Sequence, residues 1–162
     1  MPLITPIAIT ILKCDASYIF IKRNKAPYEN LFSFVGGKIE PGEHIRKAAI
    51  REVKEETKAT SVEKYEYRGV VSERLVDSAG TLLQHFLIFV GSAVIHDFEE
   101  DHREGTMVLF SVDDIRAKKD EFLPSDWQMF MAFELDNSLT RTYEAELVNL
   151  EPGYVLEYFR KV

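Results

Sequence analysis

The stretch from Gly37 to Ala59 constrains this chain more than any other, because a glycine turn runs there into a helical pattern carrying clustered carboxylates. Gly36 and Gly37 permit backbone conformations closed to other residues, so a tight loop is expected at this point. Pro41 and Gly42 mark a second turn before the helix begins. On a helix, Glu52, Glu55 and Glu56 fall within a sector of about 100°, since residues three and four apart are surface neighbours. Ile45, Ala49 and Val53 form an apolar stripe beside them. Like charges so close repel and weaken the helix, and a surface under no other demand would interleave lysine. Crowded oxygens suit a hard cation instead. Magnesium takes carboxylate oxygens, retains several waters and shares substrate phosphates, whereas zinc requires histidine or cysteine ligands that the segment lacks apart from His44.

The rest of the chain bounds what this segment can serve. With 162 residues, 46% of them hydrophobic, it supports one well-buried core and is too short for two ordinary domains. A net charge of -7 argues against binding extended nucleic acid or an anionic membrane, both of which need a basic face. A nucleotide remains compatible with that charge, because a bound metal supplies positive charge locally. Cys14 is the single cysteine, so no intramolecular disulfide can form, which fits a reducing cytoplasm. No apolar run is long enough to span a bilayer, and Met1 to Pro6 lacks the charged start and apolar core of a secretion signal.

Alternating β-branched and aromatic residues predict a hairpin from Ile7–Lys13 and Ser17–Lys22, joined at Cys14, Asp15 and Ala16. A loop carrying Pro27 follows, then a short strand from Leu31 to Val35 that delivers the paired glycines. The carboxylate helix should run to about Lys58. Long strand patterns cover Val62–Val76 and Leu82–Ile95, the second broken at Gly91, with a turn at Asp77–Gly80 between them. An acidic loop from Asp97 to Gly105 leads to a strand at Thr106–Phe110 and a short helix from Val112. Pro124 and Ser125 open a further helix, with Ser125 and Gln128 spaced as a capping box. Residues 139–162 read as a C-terminal hairpin around Asn149–Gly153. It has three candidate roles: extending the sheet, making a homodimer contact, or covering a cleft, and the first is expected. Strands interspersed with two main helices imply an α/β fold with a mixed central sheet and helices on both sides.

Gly37, Glu43, Arg51, Glu52, Val53, Glu55 and Glu56 stand at the spacing of the signature box of the Nudix hydrolases, which this segment resembles. Ala59 takes the final aliphatic position, Lys58 replaces the late glycine, and Val35 replaces a proline that often precedes the paired glycines. The resemblance extends over roughly Ile7 to Asn137 and implies a Nudix-type α/β/α sandwich, so residues 1–162 are expected to form one Nudix hydrolase domain with the hairpin as an extension. It further implies magnesium, or manganese in its place, and hydrolysis of a phosphoanhydride bond in a small nucleotide substrate. Glu52 and Glu56 would be the principal metal ligands, Glu55 would bind metal directly or through water, and the Gly37 carbonyl would complete the site. Arg51 would hold these acids and Glu43 would support the loop and helix from behind.

Family members draw a further acid from a downstream loop. Glu99, Glu100, Asp101 and Glu104 compete for that role, and Glu104 is preferred because it abuts the next strand. Lys38 and Arg23, with Lys22 as an alternative, are candidate phosphate contacts, and Phe34 or Phe32 a candidate base-stacking group. His85 and His96 lack ligand-like spacing and read as structural, and His102 reads as exposed rather than catalytic. The proline, tyrosine and upstream motifs that mark ADP-ribose, diadenosine and coenzyme A subgroups are not recognisable. A nucleoside triphosphate or another nucleoside diphosphate derivative remains, with ADP-ribose-like substrates as an alternative. A related isomerase of isopentenyl diphosphate would need a catalytic cysteine in a context that Cys14 does not provide. A degenerate nucleotide-binding module is the non-enzymatic alternative.

Overall fold

In the computed structural model, which describes residues 2–136 and 138–162, a single mixed sheet runs through the molecule. Its strands are β1 (Ile4–Cys14), β2 (Ser17–Arg23), β3 (Phe32–Ser33), β4 (Val35–Lys38), β5 (Glu63–Asp77), β6 (Leu82–Val94), β7 (Asp101–His102), β8 (Gly105–Phe110), β9 (Thr142–Asn149) and β10 (Tyr154–Lys161). The order is β10-β9-β5-β6-β1-β2-β8-β7, with β3 on β2 and β4 on β1. Asn137, where the resemblance was expected to end, lies outside the described residues.

Strand β1 organises this sheet. One edge pairs in parallel with β6, while the other is divided: Ile7–Thr10 pair with β4 and Leu12–Cys14 with β2. Its side chains alternate between two cores, as the pleat requires. Ile9 and Ile11 join Phe20, Ile88, Val90, Met129 and Phe130 on one side, and Leu12 and Cys14 join Ile19, Val35, Val53 and Ile95 on the other. The first core packs on α3 (Pro124–Phe130) and the π-helical turn Met131–Leu135 that prolongs it; the second packs on α1 (Ile45–Thr57). A helix therefore covers each face, and the α/β/α sandwich is observed. The short α2 (Val112–Ala117) is closed by a capping box between Ser111 and Asp114.

The expected β1–β2 hairpin forms, with Asp15 at φ 54 in its turn. Several local expectations are corrected. Gly36 and Gly37 lie in strand β4 opposite Ile9 and Ala8 rather than in a tight loop. Their lack of a side chain serves close approach: a Cβ on Gly36 would collide with the Ala8 carbonyl, and one on Gly37 with the Glu52 carboxylate. Gly91 does not break β6; Tyr65 packs directly over it. The acidic loop contains the short β7. Ser125 is no cap, because Pro124 takes the first helical position, Leu123 is the N-cap, and Ser125 turns into the interior. The C-terminal hairpin extends the sheet, with β9 parallel to β5 from Val70 to Asp77.

Helix α1 ends on Lys58, which adopts the left-handed conformation (φ 59, ψ 19) that the missing glycine would have taken, and donates its N–H to the Lys54 carbonyl at 3.0 Å. A Cβ there is unfavourable. Lys58→Gly is expected to raise the unfolding free energy by about 1 kcal/mol in denaturant titration; a destabilised variant would overturn this account of the cap.

Candidate active site

Helix α1 lies against β4 so that its acid face meets the paired glycines. Glu56 is 5% exposed, and its Oε2 accepts the Gly36 N–H at 2.9 Å. Burial is the main cause that pushes its carboxyl up to about 9, opposed by the Gly36 N–H and reinforced by Glu104 and Glu52 nearby. Without a cation this acid keeps its proton at neutral pH. Glu52 packs beneath Gly37, and burial outweighs Arg51 to raise its pKa too.

Arg51 ties the segment together. Its Nε and Nη2 grip both oxygens of Glu43 at 2.8 and 2.9 Å, Nη1 donates to Glu52 at 2.8 Å and to Glu55 at 3.2 Å, and Nη2 also donates to the Lys38 carbonyl at 3.0 Å. This bidentate pair holds the Glu43 carboxyl down at about 2, helped by the Glu40 N–H. Arg51 and Glu43 thus bind the β4 end to α1, while Glu55 stays largely in solvent.

A cleft of about 680 Å³ opens beside these acids, within the usual range for small-molecule sites. Glu52, Glu55, Gly37, Lys38, Arg23 and Glu104 all line it, as does Phe34. Of the four competing loop acids, Glu104 is the one brought to the cleft, and it stands close enough to Glu56 and Glu52 to raise both. Its backbone carbonyl is fixed by the Asn24 N–H at 3.0 Å. Phe34 is 5% exposed and packs on Phe20 at 5.4 Å, so it contributes wall rather than an open platform. Phe32 is absorbed into the core between Phe110 and Phe122, and Lys22 lies over its ring. His85 is hydrogen-bonded to Ser72 and His96 to Glu63, while His102 accepts the Glu104 N–H.

Among the described residues, no three His, Cys, Asp or Glu side chains are gathered closely enough to hold a metal ion as they stand. Arg51 occupies oxygens of Glu52 and Glu55. The donor set nevertheless fits a hard cation: it is all oxygen, and its buried acids retain protons that positive charge would displace.

Two buried acids that line the cleft escaped the sequence reading, Glu73 on β5 and Asp126 on α3. Glu73 shares the inward face of its strand with Val71 and Leu75, and an acid at an apolar position of a period-two pattern was the available signal. Asp126 offered none, since an acid in a first helical turn is ordinary.

The NUDIX domain family model matches residues 4–133, and the chain belongs to that family. A crystal structure of a MutT protein from Bacillus halodurans superposes with a TM-score of 0.74 over 96% of each chain at 20% identity. A Nudix hydrolase from Nitrosomonas europaea gives 0.66 at 25% identity, over 83% of this chain and 90% of that one. An ADP-ribose pyrophosphatase from Methanocaldococcus jannaschii is 40% identical over 47 residues, which are 29% of this chain and 28% of that protein.

Glu73 and Asp126 are pushed up to about 7, in both cases chiefly by burial; Ser125 opposes the shift of Glu73, and the Phe34 N–H and Arg23 that of Asp126. Such acids stabilise the fold below their unfolded pKa of about 4, and that contribution is lost as pH rises through about 7. The metal-free protein is therefore expected to lose stability between about pH 4.5 and 7.5, with a shallower slope in Glu73→Gln. Denaturant midpoints that stay level across this window would contradict the assignment.

Proposed function

We propose that this chain is a divalent-metal-dependent pyrophosphohydrolase that cleaves a phosphoanhydride bond in a nucleoside triphosphate or another nucleoside diphosphate derivative. The observation that carries the reading is Glu56, buried against the Gly36 N–H with Glu52 and Glu104 beside it, a set of acids that calls for a cation. Glu52 and Glu56, with Glu55 and the Gly37 carbonyl, would hold magnesium, and manganese would suit the same oxygens. When bound, the metal neutralises phosphate oxygens and polarises phosphorus.

The chain's own residues would supply the remainder. Glu104 or Glu55 orients a water and takes its proton, since both line the cleft beside the ligand acids. Arg51 keeps Glu52 and Glu55 in place and is itself anchored by Glu43. Lys38 and Arg23, on the cleft rim, meet the phosphates, and Phe34 contributes apolar wall to the bound nucleotide. Retention of every box acid together with the Arg51 network speaks against a binding module without turnover. An ADP-ribose-like substrate is the second reading, favoured by the match to the Methanocaldococcus protein.

Among the described residues, no helix is long and apolar enough to cross a membrane. The free, buried thiol of Cys14 fits a reducing compartment and supports the proposal of a cytoplasmic location.

Incubation with a nucleotide panel and magnesium should release a monophosphate, identified by product mass, and Glu56→Gln should lower kcat by about 10²- to 10³-fold. Unchanged turnover in that variant would remove Glu56 from the metal site. Arg51→Lys, which loses the bidentate grip on Glu43, should weaken metal affinity by about 10- to 100-fold in a magnesium titration.

A further inference from the structure

At the far end of α3 from the catalytic cleft, a second cavity of about 450 Å³ opens between the helix and the C-terminal hairpin, within the usual range for small-molecule sites. Among the described residues the two cavities share no lining side chain. Leu123 and Asp126, at the start of α3, reach the catalytic cleft, whereas Met131 and Leu135, from its π-helical prolongation, reach this one. A π-helical turn is rare and recurs at functional sites. Here it supplies Met131, Ala132 and Leu135 to one wall, while β9 and β10 supply Tyr143 and Phe159 to the other, their rings stacked with centroids 4.8 Å apart.

Arg116, in the last turn of α2, and Lys161, at the end of β10, line the same cavity. Cations close to them in sequence are paired, Lys118 with Glu121 at 3.7 Å and Arg160 with Glu144 at 3.1 Å, but Arg116 and Lys161 make no ion pair among the described residues. Asp136, the acid of this lining, already accepts the Ser138 N–H on Oδ1 at 3.1 Å. Two cations against one engaged carboxylate leave a positive balance, in a chain whose net charge is -7. Gln128 adds an amide, and the hydroxyl of Tyr143, a residue only 4% exposed, is buried without a hydrogen-bond partner among the described residues. Donors thus gather around apolar walls, the inverse of the acid-lined catalytic cleft.

We propose that this cavity is a second ligand site, for a small organic anion with an aromatic body and one carboxylate or phosphate headgroup. Arg116 and Lys161 hold the headgroup, and the body lies between the π-helical turn and the stacked rings of Tyr143 and Phe159. The hairpin that forms one wall lies beyond residues 4–133, so the site belongs to this chain's extension rather than to the hydrolytic core. It stands whether or not the catalytic cleft cleaves a nucleotide.

Calorimetric titration of the metal-free protein tests this with phenyl phosphate and benzoate. Inorganic phosphate supplies the charge without the body, and benzyl alcohol the body without the charge. At least one aromatic anion is expected to bind in the millimolar range, about tenfold more tightly than either control, and the tighter of the two identifies the headgroup. Replacing both cations, Arg116→Gln with Lys161→Gln, should weaken that binding about tenfold, while Arg23→Gln, in the catalytic cleft, should leave it unchanged. Both replaced side chains belong to exposed residues, so the fold should tolerate their loss, and the wild-type comparison with the controls decides independently. Aromatic anions that bind no more tightly than the controls, an affinity retained in the double variant, or one lost in Arg23→Gln would each overturn the proposal.

Discussion

The site depends on how closely α1 can approach β4. Two residues without side chains let a helix carrying three acids lie against the strand, and the Gly36 N–H then meets the Glu56 carboxylate at 2.9 Å. That contact places a carboxyl group where water cannot solvate it, which sets the electrostatics of everything nearby. Arg51 is the counterweight. By gripping Glu43 with two nitrogens and reaching Glu52 and Glu55 with a third, it offsets repulsion along the helix face, while among the described residues Glu56 and Glu104 make no ion pair. One part of the acid cluster is neutralised within the protein, and the other part is left to be neutralised by what binds.

The divided edge of β1 makes this arrangement available. Had β2 paired along its whole length, β4 would have no place beside Ile9 and Ala8, and α1 would face ordinary strand side chains. Because the pairing of β2 with β1 stops at Leu12 and Ile19, the chain after β2 can turn back, add β3 to β2 and β4 to β1, and open the cleft at the point of divergence. Ligand sites recur at such changes of sheet direction for this reason: backbone groups are exposed there without loss of the core.

What the sequence disclosed followed from periodicity. The acids of α1 were legible because helical spacing brings them together whatever packs around them, and the alternating runs were legible because each strand has a face toward one of two cores. Properties that need two elements at once were not. Gly36 and Gly37 were noticed, but their reason is the proximity of β1 and α1, which no local rule contains. Ser125 resembled a cap until Pro124 claimed the first helical position. Glu73 reads as one more charge on a strand, and its interest arises only when α3 brings Asp126 into the same cleft.

The C-terminal hairpin bears on that last point. Residues 142–149 lie beyond the stretch matched by the family model, yet they pair rung for rung with Val70–Asp77, so that Glu73 sits opposite Phe86 on one side and Ala145 on the other. A strand that would otherwise end the sheet becomes an interior one, and its amide hydrogens are shielded along both edges. Solvent exchange at the cleft floor should therefore be governed by concerted opening of the sheet rather than by fraying. The tail acts as a splint that stiffens the strand from which the floor of the cleft is built.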